Sequence, residues 1–116
     1  MARKTRNSNY VFPNNETDDS RGCDFVIRIA KTNFYVEVKG SQGDDETFKL
    51  GTSEIDLARQ LTKKKRREET FLVLHVTNVL SEEPEFRLLP NPYDAKYQAM
   101  LTIEDAYTRV TCKQNK

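Results

Sequence analysis

The chain has 116 residues, enough for one domain with a modest core, and its formal net charge of +1 gives no overall field that would attract nucleic acid or a membrane. Apolar residues make up 36% and charged residues 32%, and no stretch approaches the roughly 18 apolar residues of a transmembrane helix. Two cysteines, Cys23 and Cys112, are too few for a disulfide framework and lack the spacing of a zinc site. These features predict a soluble protein with reduced thiols, located in the cytoplasm, or in the nucleus if the source is eukaryotic.

The first predicted element is a hairpin that follows a polar N-terminal segment. Residues 1–21 are rich in Asn, Ser, Asp, Arg and Lys, which predicts a flexible or irregular lead-in before a domain at 22–116. The runs DFVIRI (24–29) and FYVEVK (34–39) are β-branched and aromatic, and only AKTN separates them. This arrangement is typical of an antiparallel hairpin.

The residues after the hairpin predict a loop, a short strand at FKLG and one amphipathic helix at about 54–67. Thr52 and Ser53 are candidate N-caps for this helix. Acidic residues occupy its first turn and basic residues its last, which suits the helix dipole at both ends. Its apolar positions recur at nearly helical spacing, so one side of the helix is expected to face the core.

The second half of the chain predicts more strands. TFLVLHVTNV (70–79) is an almost continuous apolar run, which favours a central strand beside the hairpin, buried on both faces. A short strand is expected at 85–89, ended by Pro90 and Pro92. Residues 106–112 fit a strand or a short helix equally well. The order of elements predicts an α+β or mixed α/β domain, with a mainly antiparallel sheet flanked by at least one helix.

Three charged residues of the hairpin are expected to share one side of the sheet. A turn at Lys31 and Thr32 would place Asp24 opposite Lys39. Since side chains alternate along a strand, Asp24, Glu37 and Lys39 then project from the same face. The two carboxylates would lie on a diagonal of about 7 Å, close enough to reach one ion.

Two acids and a lysine in this arrangement suit metal-assisted hydrolysis of a phosphodiester. Mg²⁺ or Mn²⁺ takes oxygen ligands, which Asp24 and Glu37 would supply. Lys39 would orient a water molecule or stabilise the negative charge that develops on phosphorus. The alternative is an ordinary exposed sheet face with an ion pair, which the spacing alone does not distinguish from a site.

A longer set of motifs adds to this pattern. GCDFVIRI, YVEVKGS, FKLGTSEIDLARQ and FLVLHVTNV, in this order and over roughly residues 22–79, resemble the NO VEIN C-terminal domain family, a branch of the PD-(D/E)XK nuclease-like superfamily. In that family a Gly-aromatic-Asp step opens one strand and EVKG closes the next. A helix containing Glu and Ala follows, and then a strand that ends near Val-x-Asn.

The resemblance implies a restriction endonuclease-like core that acts on DNA. It makes Asp24 and Glu37 catalytic and metal-binding, Lys39 catalytic, and the backbone carbonyl of Val38 a further metal ligand. Such domains occur fused to helicase, ATPase or DNA-recognition modules. Cys23 stands where the family usually has an aromatic residue, and the usual helix before the Asp strand, often with a further acid, has no counterpart here. That helix would lie upstream in a longer protein or come from another chain, or else the site is incomplete.

Basic and polar residues near the predicted site are candidates for contact with DNA phosphates. The candidates are Ser41, Gln42, Arg59, Lys63, Lys64, Lys65, Arg66 and Arg67. The run at 63–67 is equally consistent with a solvated helix end. The single histidine, His75, lies within an apolar strand, where a partnered core residue is expected rather than a catalytic one.

These observations favour a metal-dependent DNA endonuclease domain that is part of a larger DNA-processing protein. The alternative is a domain of the same fold that has lost catalysis and binds DNA or a protein partner. A second copy of the chain is a further candidate partner in either case.

Overall fold

A computed structural model gives the fold and describes residues 8–11, 22–63, 68–97, 99–106 and 109–115. The chain folds into two β-sheets and one α-helix, which confirms the predicted α+β class. In chain order the elements are β1 (Ser8–Val11), β2 (Phe25–Ile29), β3 (Thr32–Gly40), β4 (Thr47–Leu50), α1 (Thr52–Lys63), β5 (Glu69–Thr77), β6 (Glu85–Leu89), a 3₁₀ turn (Ala95–Tyr97), β7 (Leu101–Ala106) and β8 (Arg109–Gln114).

The larger sheet is mixed and has the strand order β1-β2-β3-β5-β6. β3 and β5 are parallel, and the other neighbouring pairs are antiparallel. A parallel pair needs a crossover connection, which β4 and α1 provide. β4 joins β8 and β7 in a second, antiparallel sheet of three strands. The predicted strands at 70–79 and 85–89 are therefore confirmed as β5 and β6.

The turn between β2 and β3 lies at Ala30 and Lys31, with Ile29 paired to Thr32. The predicted turn at Lys31 and Thr32 is therefore wrong by one residue. Ala30 has a positive φ of 54°, and left-handed residues in a two-residue turn match the twist of the flanking strands. The shift moves each partner by two positions along β3. Because side chains alternate with a period of two, no residue changes face.

The helix begins earlier than predicted. The N–H of Ile55 donates to the carbonyl of Gly51 at 2.9 Å, so Gly51 is the N-cap rather than Thr52 or Ser53. The described helix ends at Lys63, and the predicted continuation over 64–67 lies outside the described residues. Within the described ranges, no helix is long and apolar enough to cross a membrane.

Both ends of the chain contribute strands. In the predicted lead-in, Ser8–Val11 forms β1 and pairs with β2, and the remaining residues of 1–21 lie outside the described part. Near the C-terminus, where a strand and a helix were both open, the chain forms the antiparallel pair of β7 and β8.

One side of the larger sheet, here called the covered face, packs against α1 and the smaller sheet. Register and alternation place on it Tyr35, Glu37, Lys39, Phe71, Val73, His75, Arg87 and Leu89. The core cluster consists of Phe48, Leu50, Ala58, Leu61, Phe71, Val73, Leu89, Leu101, Val110 and Cys112. The apolar members of the covered face therefore pack into the core, and its charged members lie together toward the carboxyl ends of β3 and β5.

The opposite side, here called the open face, is apolar. Its side chains line one open groove and are Phe25, Ile27, Ile29, Phe34, Val36, Leu72, Leu74 and Leu88. Ile29 is 46% exposed and Leu88 62% exposed. β5 was expected to be buried on both faces; its covered face is buried at Phe71, Val73 and His75, whereas on the open face Val76 is buried but Leu72 and Leu74 are only half-buried.

Candidate acid and lysine site

Glu37 and Lys39 lie side by side on the covered face, where β3 approaches its carboxyl end. In the register, Glu37 pairs with Val73 and Lys39 with His75. Glu37 is 6% exposed, which is unusual for a carboxylate because an unpartnered buried charge is strongly destabilising. The position therefore requires a partner, and Lys39 provides one.

The ammonium group of Lys39 binds two carboxylates. Its Nζ lies 3.1 Å from Oε2 of Glu37 and 2.7 Å from Oε1 of Glu54, in the first turn of α1. The same Oε1 accepts the backbone N–H of Gly51 at 3.2 Å, which is half of a capping box, since Glu54 stands three residues after the N-cap. Glu54 thus both caps α1 and joins the helix to the charged pair on β3.

Glu54 is the site residue that the sequence analysis missed. Its signal was present, because an acid opens the helix that follows the EVK strand. The favourable interaction of an acid with a helix N-terminus explained it without any further role. Only the packing of α1 on the covered face brings this carboxylate to Lys39.

Asp24 approaches the same site from the neighbouring strand. Its backbone N–H donates to the carbonyl of Val36 at 2.9 Å, so Asp24 lies beside Glu37. The prediction that it lies opposite Lys39 is wrong, because the turn is one residue earlier than expected. Its exposed carboxylate accepts the backbone N–H of Val38 at 2.7 Å. Asp24, Glu37 and Lys39 are therefore brought together as predicted, in a different register.

The backbone of Val38 has a direction that bears on metal binding. Along a strand, the N–H and C=O of one residue point to the same neighbour. The N–H of Val38 points toward Asp24, so its carbonyl faces the same edge, beyond the last paired residue of β2, Phe25. The side chain of Val38 projects away from the covered face and is exposed.

Electrostatics single out Glu37. Burial raises its pKa, the negative charges of Glu54 and Asp24 raise it further, and Lys39 only partly opposes them, so that the pKa of Glu37 is about 8. For Lys39, burial disfavours the ammonium form. The hydrogen bond to Glu54 and the charge of Glu37 outweigh this effect and raise the pKa of Lys39. The cluster thus holds more acid than its one lysine can neutralise.

Gly22 sets the approach of Asp24 to the helix. It has a positive φ of 81°, and a Cβ at this position would clash with the backbone carbonyl of Ser53 and contact Leu57. Only glycine combines this conformation with such close contact. Gly22 therefore allows the chain to pass directly against the first turn of α1 before it enters β2.

The oxygen ligands suit a hard divalent cation. Mg²⁺ is usually held by one or two carboxylates, with water and substrate oxygens completing its coordination. Asp24, Glu37 and the Val38 carbonyl are of this type. Among the described residues, no three His, Cys, Asp or Glu side chains are grouped closely enough to hold a metal ion. Asp24, Glu37 and the Val38 carbonyl are therefore the groups that could hold such a cation, two of them as side chains.

The other predicted contact residues are dispersed. Ser41 follows β3, and its Oγ lies 3.1 Å from Nε2 of His75, whereas Gln42 is exposed. The guanidinium of Arg59 lies 5.9 Å from the centre of the Tyr93 ring, at cation–π distance. Lys63 is exposed at the end of α1. The remaining four predicted contacts, Lys64, Lys65, Arg66 and Arg67, lie outside the described residues.

Comparisons with known proteins give one match. The family model described as Protein NO VEIN, C-terminal matches residues 1–89, more than three quarters of the chain. Searches of curated proteins and of solved structures found no match. The matched range includes the whole acid and lysine site, whereas β7 and β8 lie beyond it.

Proposed function

The chain belongs to the NO VEIN C-terminal family, and on this premise we propose that it is a metal-dependent DNA endonuclease domain with a core related to the PD-(D/E)XK nucleases. The observation that carries the proposal is the convergence of Glu37 and Lys39, near the carboxyl end of β3, with Asp24 at the amino end of the antiparallel neighbour β2. Crevices at the carboxyl ends of strands are common ligand sites in α/β proteins. A buried acid whose pKa is raised to about 8 is also more frequent at functional sites than elsewhere.

Each residue has a role in this proposal. Asp24, Glu37 and the Val38 carbonyl would hold Mg²⁺ or Mn²⁺. A cation held there would supply a more acidic bound water and positive charge against the negative charge that develops on phosphorus. Lys39 orients the water or stabilises that charge as a hydrogen-bond donor. Glu54 holds the Lys39 ammonium beside Glu37, which is the position that either role requires.

The basic residues of α1 support DNA as the substrate. Lys63 lies nine residues beyond Glu54, or about 14 Å along the helix axis, which corresponds to roughly four base pairs of duplex. A duplex running along α1 would meet the acid and lysine site at one end of the helix and Arg59 and Lys63 farther along it. Lys64 to Arg67, Ser41 and Gln42 are proposed as further phosphate contacts.

The partners of the domain follow from the same proposal. A fused or associated helicase, ATPase or DNA-reader module would supply targeting, and a second copy of the chain would allow cleavage of both strands. A cytoplasmic location, or a nuclear one in a eukaryote, gives access to DNA.

Cleavage of supercoiled plasmid tests the proposal directly. The wild type is expected to nick plasmid with Mg²⁺ or Mn²⁺, and Asp24→Ala and Lys39→Ala are each expected to reduce the rate at least a hundredfold. Lys49→Ala on β4 and Asp56→Ala on α1 are matched controls, because both side chains are exposed and lie outside the site. Equal rates for all five proteins, or no cleavage with either metal, would reject the activity.

A non-catalytic domain is the second candidate, and one observation favours it. Lys39 binds both Glu37 and Glu54, so the described cluster is also an ion-pair network that joins α1 to β3 without any metal ion. In that case calorimetry would detect no Mg²⁺ or Mn²⁺ binding that depends on Asp24 or Glu37. DNA or partner affinity would survive replacement of both.

A further inference from the structure

His75 is the centre of a buried polar network that connects the two sheets. Its side chain is fully buried on β5. Its Nδ1 lies 2.9 Å from Nε2 of Gln114, which β8 contributes, and its Nε2 lies 3.1 Å from Oγ of Ser41. Gln114 also accepts a hydrogen bond from Nη1 of Arg87 at 3.1 Å, and Arg87 is held by Glu46 at 2.7 Å.

The direction of every hydrogen bond in this network follows from Arg87. A guanidinium only donates, so the amide oxygen of Gln114 must face Arg87. The amide nitrogen of Gln114 then faces His75 and donates to Nδ1. With Nδ1 as an acceptor, the proton of the neutral imidazole is on Nε2, which donates to the hydroxyl oxygen of Ser41.

The direction of the hydrogen bond from His75 determines whether the Ser41 hydroxyl is left with a donor or an acceptor. A hydroxyl that accepts the Nε2–H of His75 retains its own O–H as a donor. Ser41 lies on the covered face two residues beyond Lys39, and its backbone is fixed on both sides, since its N–H donates to Val76 at 2.8 Å and its carbonyl accepts from Val79 at 3.0 Å. The hydroxyl is thus fixed just beyond the carboxyl end of β3, on the same face as Lys39, and it has a donor to offer.

The same hydrogen-bond direction excludes His75 as a general base that would activate Ser41 as a nucleophile. In a serine nucleophile activated by histidine, the imidazole nitrogen facing the hydroxyl is unprotonated and removes its proton. Here the nitrogen that faces Ser41 carries the proton, because Gln114 donates to the other nitrogen. His75 is therefore not a general base for Ser41.

We infer that the Ser41 hydroxyl donates a hydrogen bond to a phosphate oxygen of bound DNA, and that His75 is a positioning residue whose tautomer is fixed by Gln114 and Arg87. The inference rests on the proposed function for the identity of the ligand. It assigns a role to β8, which lies beyond the range that matches the family. Gln114 on the smaller sheet thereby fixes the direction of the hydrogen bond between His75 and Ser41 on the larger sheet.

Two measurements test the inference on the intact chain. Nitrogen-15 NMR is expected to show the Nε2–H tautomer of His75. Fluorescence titration with a short duplex oligonucleotide in Ca²⁺, used in place of Mg²⁺, is expected to show affinity about tenfold weaker for Ser41→Ala and unchanged for Ser41→Thr, which keeps the hydroxyl. An Nδ1–H tautomer, or equal affinity of Ser41→Ala and wild type, would overturn the inference.

Gln114→Glu separates positioning from a purely structural role. A carboxylate accepts both from Arg87 and from Nδ1–H, so neutral His75 is expected to switch tautomer and to accept the Ser41 proton. At a pH where NMR shows His75 to be neutral in both proteins, duplex affinity should fall to the level of Ser41→Ala. A switched tautomer with unchanged affinity would refute the positioning role.

The two proposals fail in different ways. A wild type that cleaves plasmid, with Ser41→Ala binding the duplex equally well, contradicts only the role of Ser41 and His75. A wild type that binds duplex through Ser41, with no cleavage in either metal, contradicts only the nuclease activity. A wild type that neither binds the duplex nor cleaves plasmid overturns both.

Discussion

The two faces of the larger sheet use similar strands in opposite ways. The covered face packs against α1 and the smaller sheet, yet it carries Glu37, Lys39 and His75. All the side chains that line the groove of the open face are apolar, although this face has the more exposed side chains of the two. Buried charged and polar groups are tolerated when each has a partner, and every one of these three has at least one within 3.1 Å.

The difference shows that apolar packing and charged or polar contacts occupy different parts of the sheet. The apolar part of the covered face forms the core and stabilises the fold by burial. At the carboxyl ends of β3 and β5 the same face changes to groups that interact by charge and hydrogen bonding. The open face contributes less to stability where its side chains, such as Ile29 and Leu88, remain in contact with water.

Adjacent leucines on β6 give the largest expected contrast. Leu89 is 6% exposed in the core, and Leu88 points to the open face. Leu89→Ala should lower the free energy of unfolding by about 3 kcal/mol, since it removes buried methylenes and leaves a cavity. Leu88→Ala should change it by less than about 0.5 kcal/mol. Urea denaturation of both variants checks this, and equal losses would show that the open face is as buried as the covered one.

Gly22 probes how closely the chain packs on the covered side. Gly22→Ala should lower the free energy of unfolding by about 2 kcal/mol, because the residue has a positive φ and its Cβ would clash with the Ser53 carbonyl. Gly43→Ala is the control, since its Cβ would meet no atom within 4 Å. Thermal unfolding of the two variants should separate them clearly, and similar midpoints would argue against the close approach to α1.

The pH dependence of stability tests the buried acid. The pKa of Glu37 is about 8 in the folded chain against an ordinary 4.5, so between about pH 5 and 8 the folded state holds a proton that the unfolded state has released. This contribution to the free energy of unfolding is present below that window and is lost as the pH rises through it, at up to about 1.4 kcal/mol per pH unit.

Glu37→Gln should remove that decline. Its stability relative to wild type should increase from about pH 5 to 8 and level off above, as measured by urea denaturation at a series of pH values. Glu104→Gln, at an exposed position on β7, controls for the loss of a carboxylate. A difference between Glu37→Gln and wild type that does not vary with pH would contradict the raised pKa.

The smallest expected effect concerns the link between α1 and β3. Glu54→Gln keeps an acceptor for the Gly51 N–H but removes the charge that pairs with Lys39. A loss of about 1 kcal/mol is expected. The pKa of Glu37, followed by carbon-13 NMR, should fall because a negative charge beside it is gone. An unchanged pKa of Glu37 would mean that Glu54 does not act on it.

Much of the site was predictable from local patterns. The strand period alone placed Asp24, Glu37 and Lys39 on one face, and an error of one residue in the turn left that result intact because it moved every partner by two. Ala30 in the left-handed conformation is what shifted the turn, and nothing in AKTN marks an alanine for that role. The strands β5 and β6 were equally predictable, since their runs are apolar and bounded by turn residues.

The sequence by itself determined the strands β2 to β6 and the helix, because these depend on propensities and periodicities within a few residues, but it did not determine β1, β7 or β8. It did not determine that β4 and β8 form a second sheet, that α1 brings Glu54 to Lys39, or that Gln114 meets His75. Those contacts join residues 15 and 39 positions apart, or strands more than 50 residues apart, and depend on the packing of whole elements. Both faces of β5 read as apolar along the chain, whereas one face of β3 carries Glu37 and Lys39, and only tertiary packing decided that this charged face would be the covered one.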